Sequence, residues 1–81
     1  APVPVEKQVA ILYATIHDYL VNVKVADVAE YEKSLYEYLD NDAAGAAVMD
    51  TIRTTGNLDK DTEEQLKTVL TRYTESFVKA H

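Results

Sequence analysis

The sequence is short, acidic and free of cysteine, with 81 residues and a formal net charge of −6. A chain of this length forms one domain or part of one. Its own core is marginal, because a small domain buries only about 60% of the surface that its unfolded chain exposes. The lack of cysteine excludes disulfides and thiolate metal sites.

Charge and hydropathy argue against several classes of partner. The 14 acidic residues outnumber the 8 basic ones, so we expect the surface to repel nucleic acid and anionic lipid. No apolar run approaches the ~20 residues that cross a bilayer, and we expect no direct membrane insertion. Ala1 opens the chain in place of Met, which fits a processed or excised piece.

Turn-forming residues are scarce in this sequence. Only two glycines and two prolines occur, and both prolines, Pro2 and Pro4, lie at the N-terminus. All-β domains need many turns, so this scarcity favours an all-α fold. Hydrophobic periodicity predicts a small bundle of about four helices joined by short links. The predicted helices cover about residues 4–20, 25–39, 43–55 and 61–79 of a single helical unit over 1–81.

The first two predicted helices are separated by a short connector. The first helix is expected to begin at Pro4, since proline suits the first helical turn. Residues 21–25 alternate apolar and polar side chains, but no second strand is predicted to pair with them, so they are interpreted as a link. Asp27 then lies in the first turn of the second helix, where negative charge is favoured. The expected buried stripes are Val9, Leu12, Tyr13, Ile16, Tyr19 and Leu20 in the first helix, and Val28, Tyr31, Leu35, Tyr38 and Leu39 in the second.

The third predicted helix follows a break at residues 40–42. Asp42 or Asn41 can cap its first turn, because these side chains accept hydrogen bonds from free backbone N–H groups. Gly45 weakens the helix by about 1 kcal/mol relative to alanine. Gly56 is expected to end it in the left-handed conformation. The apolar positions of this helix are Val48, Met49 and Ile52.

The fourth predicted helix has two candidate caps. Asp61 precedes Glu64 by three residues, which resembles a capping box, and Asp59 is a rival cap. Lys79 suits the negative end of the helix dipole. The expected buried stripe is Leu66, Val69, Leu70, Tyr73 and Phe77.

Two pairs of carboxylates near the start of the fourth helix are candidates for a catalytic or metal site. Glu63–Glu64 and Asp59 with Asp61 could suggest an acid–base pair or a calcium site, yet the ligand spacing of a helix-loop calcium site is absent. Their position at a helix start explains them as capping and dipole residues. We therefore predict no catalytic residue among them.

Histidine and glycine give no further site. His17 lies beside Asp18 without a nucleophile in a dyad arrangement, so we interpret it as a surface histidine. His81 is the last residue, and the two histidines cannot supply the four ligands of structural zinc. The only glycines are Gly45 and Gly56, so no glycine-rich loop cradles a nucleotide. We predict no catalytic, cofactor-binding or metal-binding residue.

Six tyrosines are many for a chain of this length. Five of them fall on the predicted stripes, which favours a core position with the hydroxyl at the edge. Tyr36 lies off the stripe of the second helix. It is the best candidate for a contact with another protein surface.

Three segments, taken in order, are similar to one known family. They are PVEKQVAILYA at residues 4–14, VADVAEYEKSLYEYL at 25–39 and IRTTGNLDKDTEEQLKTVLTRYTESF at 52–77. In this order they resemble the C-terminal end of the alpha subunit of F-type ATP synthases. The chain departs from that family at Thr15 and Asp18, where glycine is common, and at Lys24, where proline is common.

The resemblance implies the last part of a larger helical domain, with one face that preceding helices normally cover. It implies no functional residue in this chain, because the family's phosphate loop and catalytic arginine lie upstream, where the parent subunit binds ATP and Mg²⁺. The implied partners are the beta subunits and the central stalk. The implied location is a peripheral complex on the cytoplasmic face of the bacterial plasma membrane, or alternatively on the matrix side of an organellar inner membrane.

Three functions therefore compete. The first is a structural element of a rotary ATP synthase, which holds the alpha–beta ring and performs no chemistry alone. The second is a free-standing helical adaptor that binds a partner helix in a groove. The third is a small enzyme, for which the motifs offer no support.

Overall fold

The fold is a bundle of helices without strands in the part of the chain that is described. A computed structural model describes residues 3–81. These residues confirm the predicted all-α class. The elements are α1 (Val5–Ile16), a 3-10 turn (Val25–Asp27), α2 (Val28–Asn41), α3 (Ala43–Thr55) and α4 (Lys60–Ala80).

The core lies where α2, α3 and α4 meet, and α1 packs across α2 and α3. Its largest fully buried side chains are Tyr31, Leu35, Leu39, Val48, Leu66, Val69 and Leu70. The predicted apolar positions of α3 and α4 are all buried. In α2, Tyr38 is only partly buried and Val28 is exposed, because Val28 lies in the first turn beside the 3-10 element.

The predicted stripe of α1 is partly wrong. Leu12 and Ile16 are 59% and 63% exposed, although both were expected in the core. Ala10 and Ala14 are fully buried instead, on either side of the buried Tyr13. The small alanine side chains allow α1 to approach its neighbours closely, so the helix turns its bulkier apolar residues outward.

The first helix ends at Ile16, four residues before the predicted boundary. The Tyr19 N–H donates to the Ala14 carbonyl at 3.0 Å, and Asp18 adopts φ 63°. A backbone hydrogen bond from residue 19 back to residue 14, with a left-handed residue at position 18, is the Schellman motif. Glycine is the usual left-handed residue of this motif. The chain therefore leaves the helix earlier than its apolar pattern indicates.

The caps decide the remaining boundaries. Asp42 caps α3 by accepting from the Gly45 N–H at 2.9 Å. Asp59 caps α4 by accepting from the Thr62 N–H at 2.8 Å, so the prediction of Asp61 as the cap is wrong. Because Asp59 is the cap, α4 begins at Lys60. Hydrogen bonding from Thr62 lowers the pKa of the Asp59 carboxyl.

Smaller boundary shifts have local causes. Pro4 occupies the N-cap position of α1, and the helix itself begins at Val5. The Pro4 carbonyl accepts the first hydrogen bonds of the helix, from the Lys7 and Gln8 N–H groups. The second helix begins at Val28 and not at Val25, because residues 25–27 form the tighter 3-10 turn. It then continues to Asn41. The third helix occupies the predicted range, and Gly56 follows it at φ 70° as expected.

Gly45 also permits a close contact between α2 and α3. A Cβ atom at this position would lie 3.2 Å from the Leu39 Cα. Only Asp42 separates the two helices, so their adjoining ends must pass near each other. Glycine lowers the helix propensity of α3, but it lets the corner close.

Substitution of the two left-handed residues should have opposite effects. We expect Asp18→Gly to raise the free energy of unfolding by about 0.5–1 kcal/mol, because glycine adopts positive φ without the Cβ penalty. The counterpart Gly56→Ala should lower it by about 1 kcal/mol, since no neighbouring atom lies within 4 Å and only the backbone is strained. Chemical denaturation followed by circular dichroism measures both. Destabilisation by Asp18→Gly would contradict the left-handed assignment.

The choice between the two caps of α4 is also testable. Asp59→Ala should lower the melting temperature clearly more than Asp61→Ala, because only Asp59 binds a free N–H group of the first turn. Both variants remove one negative charge near the helix start, so Asp61→Ala is a matched control. The difference should shrink as pH falls from ~4 through the depressed pKa of Asp59, because protonation of the carboxylate in that range removes the stabilising acceptor. Equal melting temperatures at neutral pH would show that Asp59 is not the cap.

Candidate interaction surface

An apolar stripe runs along the outer face of α1. Val5, Leu12 and Ile16 are 70%, 59% and 63% exposed. Their spacings of seven and four residues place them on one side of the helix. Single exposed apolar residues are normal on protein surfaces, whereas an aligned set marks a packing surface.

A groove beside this stripe separates α1 from α2. We define the α1–α2 groove by its lining residues, which are Val3, Gln8, Ile11, Leu12, Thr15, Glu32 and Tyr36. The lining is mostly apolar, and Glu32 is its only charged residue. The groove therefore has the chemistry of a surface that packs against a protein segment.

Tyr36, the predicted contact residue, lies in this groove. Its hydroxyl donates to Glu32 Oε2 at 2.6 Å, one helical turn away on α2. Partial burial, followed by this bond to a carboxylate, raises the pKa of Tyr36 to about 12. Sequence reasoning singled out Tyr36 but missed Glu32, and the four-residue spacing of the pair was the available signal.

A second apolar region lies at another end of the bundle. Val21 and Val25 are 76% and 92% exposed in the connector before α2. A cleft of about 120 Å³ lies nearby, lined by Asn22, Val23, Lys24, Asp27, Phe77, Val78 and His81. Sequence reasoning treated this connector only as a link, because the alternation of its valines does not distinguish the buried Val23 from the exposed Val21 and Val25.

The other tyrosines tie the helices together. The Tyr73 hydroxyl donates to the Tyr31 backbone carbonyl at 2.7 Å, and the Tyr31 hydroxyl lies 2.8 Å from Thr74 Oγ1. The Tyr13 hydroxyl donates to Glu63 Oε2 at 2.8 Å. Burial is the largest cause that raises the pKa of Tyr13, Tyr31 and Tyr73. These hydroxyls join α1 and α2 to α4.

The carboxylates and the histidine considered for chemistry are dispersed. Asp59 is the cap of α4, Glu63 accepts from Tyr13, and Glu64 lies 3.9 Å from the Lys67 ammonium. The exposed His17 stacks on the Tyr13 ring at a centroid distance of 4.0 Å. Over residues 3–81 no three histidine or carboxylate side chains come together as a metal site. The absence of catalytic, cofactor-binding and metal-binding residues stays a prediction.

The helices of residues 3–81 lack the features of membrane-spanning segments. None of the helices within the described range combines the length and the apolar character needed to cross a bilayer.

A helical unit with an aromatic core, an exposed apolar helix face and an adjoining groove defines a packing domain. Comparison with known families gives the class: residues 1–73 match the model for the ATP synthase alpha/beta chain, C terminal domain. The chain belongs to this family. The resemblance noted from its three segments is therefore confirmed.

Curated relatives narrow the assignment to the alpha subunit. The chain is 46% identical over 77 residues to ATP synthase subunit alpha of Dehalococcoides mccartyi, covering 95% of this chain and 15% of the relative. It is 38% identical over 77 residues to the subunit of Aquifex aeolicus, with the same coverages. It is 40% identical over 76 residues to the subunit of Lactobacillus helveticus, covering 94% and 14%.

The length comparison limits what the relatives imply. The chain spans 14–15% of the length of these curated relatives. No solved structure matched the chain.

The buried tyrosines predict a loss of stability at alkaline pH. A tyrosine with a raised native pKa stabilises the fold fully below its unfolded pKa of ~10, and this contribution is lost as pH rises through the native pKa. Each such tyrosine should lower the free energy of unfolding by up to about 1.4 kcal/mol per pH unit above pH ~10. Denaturant titrations at several pH values, with tyrosinate absorbance as a second signal, measure this slope.

Tyr36→Phe provides the control for that slope. It removes one ionisable group from a partly exposed position and leaves the buried tyrosines in place. The slope should fall by up to about 1.4 kcal/mol per pH unit. A stability that does not change between pH ~10 and ~12 would contradict the burial of these hydroxyls.

Proposed function

We propose that this chain serves as the non-catalytic C-terminal portion of an ATP synthase subunit alpha. In this role it is a structural element of the alpha–beta ring around the central stalk, and it contributes to proton-coupled ATP synthesis only within the complex. The observation that carries the proposal is the exposed apolar stripe of α1, on a chain that belongs to the alpha/beta C-terminal family. A domain that packs within a larger subunit needs such a surface.

The proposed partners are the beta subunits and the central-stalk subunits. Two separate apolar regions, on α1 and around Val21 and Val25, give the chain more than one contact surface. The net charge of −6 gives no affinity for nucleic acid, which binds proteins through clustered Lys and Arg. The complex is proposed to be peripheral, on the cytoplasmic face of the bacterial membrane.

The chain itself is proposed to hold no nucleotide. Its carboxylates serve as helix caps, hydrogen-bond acceptors and surface charges. In the proposed parent subunit, ATP and Mg²⁺ bind through other residues, and the complex is the H⁺-transporting ATP synthase. The isolated chain should therefore show no ATP hydrolysis, and submicromolar ATP binding in calorimetry would contradict this.

A transplant tests the proposal. In the subunit alpha of Dehalococcoides mccartyi, the 77 matching residues are replaced by the corresponding residues of this chain. The hybrid subunit is co-expressed with the other subunits of that ATP synthase. We expect the hybrid subunit to assemble and to retain ATP hydrolysis within about tenfold of the unmodified complex, because the two sequences are 46% identical over this region. Size-exclusion chromatography and a hydrolysis assay give the two readouts.

The transplant needs a folding control. A second hybrid carries Leu70→Asp, which buries a charge at a fully buried core position and should prevent assembly. If the first hybrid folds, as judged by its circular dichroism, but stays outside the complex, the proposed structural role is wrong.

A further inference from the structure

Glu32 has no cationic partner among the residues that the structure describes. None of the ion pairs within residues 3–81 includes its carboxylate. Its one side-chain bond is to the neutral Tyr36 hydroxyl. A carboxylate has about four lone-pair sites, so most of its acceptor capacity remains open.

The surroundings of Glu32 are mainly apolar, with Gln8 and Thr15 as the polar uncharged residues of the groove. Ile11 and Leu12 line the same groove from α1, and the Tyr36 ring lines it from α2. A segment that covers the groove would remove Glu32 from water. Desolvating a charge is costly unless an opposite charge accompanies the covering group, so the groove selects a segment that carries a cation.

The groove has the length of a helix contact. Its lining on α1 extends from Gln8 to Thr15, about 10 Å at a rise of 1.5 Å per residue. About two turns of a partner helix span that distance. Apolar side chains at helical spacing are the usual way in which such a helix fills a hydrophobic groove.

We propose that the α1–α2 groove binds an amphipathic helix whose apolar face packs on Leu12 and the Tyr36 ring and whose Arg or Lys pairs with Glu32. The proposal rests on the proposed function, which it deepens by giving the chemistry of the neighbouring segment. Arginine suits the site better than lysine, because its planar guanidinium can bind the carboxylate and stack on an aromatic ring.

A second copy of this chain is a poorer occupant. The chain carries a net charge of −6, and a two-fold symmetric contact brings the same patch of each copy together. The facing groove would then bring no cation to Glu32, because Glu32 is the only charged residue of its lining. An unpaired charge in such a setting is costly, so the observations favour a different, cationic segment.

The test uses the whole 81-residue chain and a synthetic probe. The probe is a helical peptide of about four turns with leucines at positions i, i+4 and i+7 and one arginine beside them. Nuclear magnetic resonance titration of the labelled chain gives the affinity and the binding location. We expect saturable shifts at Leu12, Thr15 and Tyr36, which all line the groove.

A double-substitution cycle isolates the ion pair. Glu32→Gln and replacement of the peptide arginine by glutamine should each weaken binding about tenfold, as a charge-assisted bond implies. On the Glu32→Gln chain the peptide replacement should have little further effect. Glu37→Gln is the matched control, because it makes the same charge change at an exposed position of α2 outside the groove.

The outcomes separate the two proposals. The groove proposal would be overturned by absence of saturable binding or by shifts confined to Val21 and Val25. It would also be overturned if replacing the peptide arginine weakened binding equally to the unmodified chain and to the Glu32→Gln chain. A transplant that fails to assemble while the peptide still binds in the groove would count against the proposed function alone. Retained affinity in Glu37→Gln together with loss in Glu32→Gln is the result that supports the site.

Discussion

An aromatic contact and a buried hydrogen bond hold α4 against α2 and set how the bundle closes. Tyr73 of α4 donates its hydroxyl to the backbone carbonyl of Tyr31 in α2, and the two rings meet edge to face at a centroid distance of 5.1 Å. Phe77 completes the cluster against Tyr31 at 5.3 Å. A buried hydroxyl must find an acceptor, so the aromatic contact and the hydrogen bond fix the rotation and height of α4 against α2. The third helix packs on both of them and makes the more extensive contacts of the core.

The same arrangement explains why α1 has an exposed apolar face. With α2, α3 and α4 already sharing most of the buried leucines and valines, α1 adds Ala10, Tyr13 and Ala14. Its larger residues then have no room inside. A chain of this size has too little interior to bury all of its apolar side chains. The exposed stripe is therefore a direct result of a small core, and the groove beside it combines Leu12 of that stripe with the hydrogen-bonded Glu32 and Tyr36 of α2.

The sequence predicts the long, strongly periodic helices well. In α4, five apolar residues at helical spacing are all buried, because a helix in the middle of a bundle has one clear inner face. In α1 the prediction was wrong for Leu12 and Ile16, since apolar periodicity does not distinguish a face toward this core from a face toward another surface. The sequence alone allows either Asp59 or Asp61 to cap α4. The backbone geometry, which the sequence does not show, decides for Asp59. Tyr36 could be proposed as a contact from its position off the stripe, whereas the groove around it depends on the angle between α1 and α2, which no local pattern contains.

The tight corner at Gly45 has a mechanical consequence. A one-residue link between α2 and α3, with the backbone of Leu39 close to the glycine, leaves no slack for one helix to swing against the other. The connection between α1 and α2 is longer and contains one Schellman turn and one short 3-10 turn. Tyr19, Leu20 and Val23 hold it against the core. The two connections therefore differ in kind, because the α2–α3 corner is fixed by its backbone and the α1–α2 connection is held by side chains packed on the core.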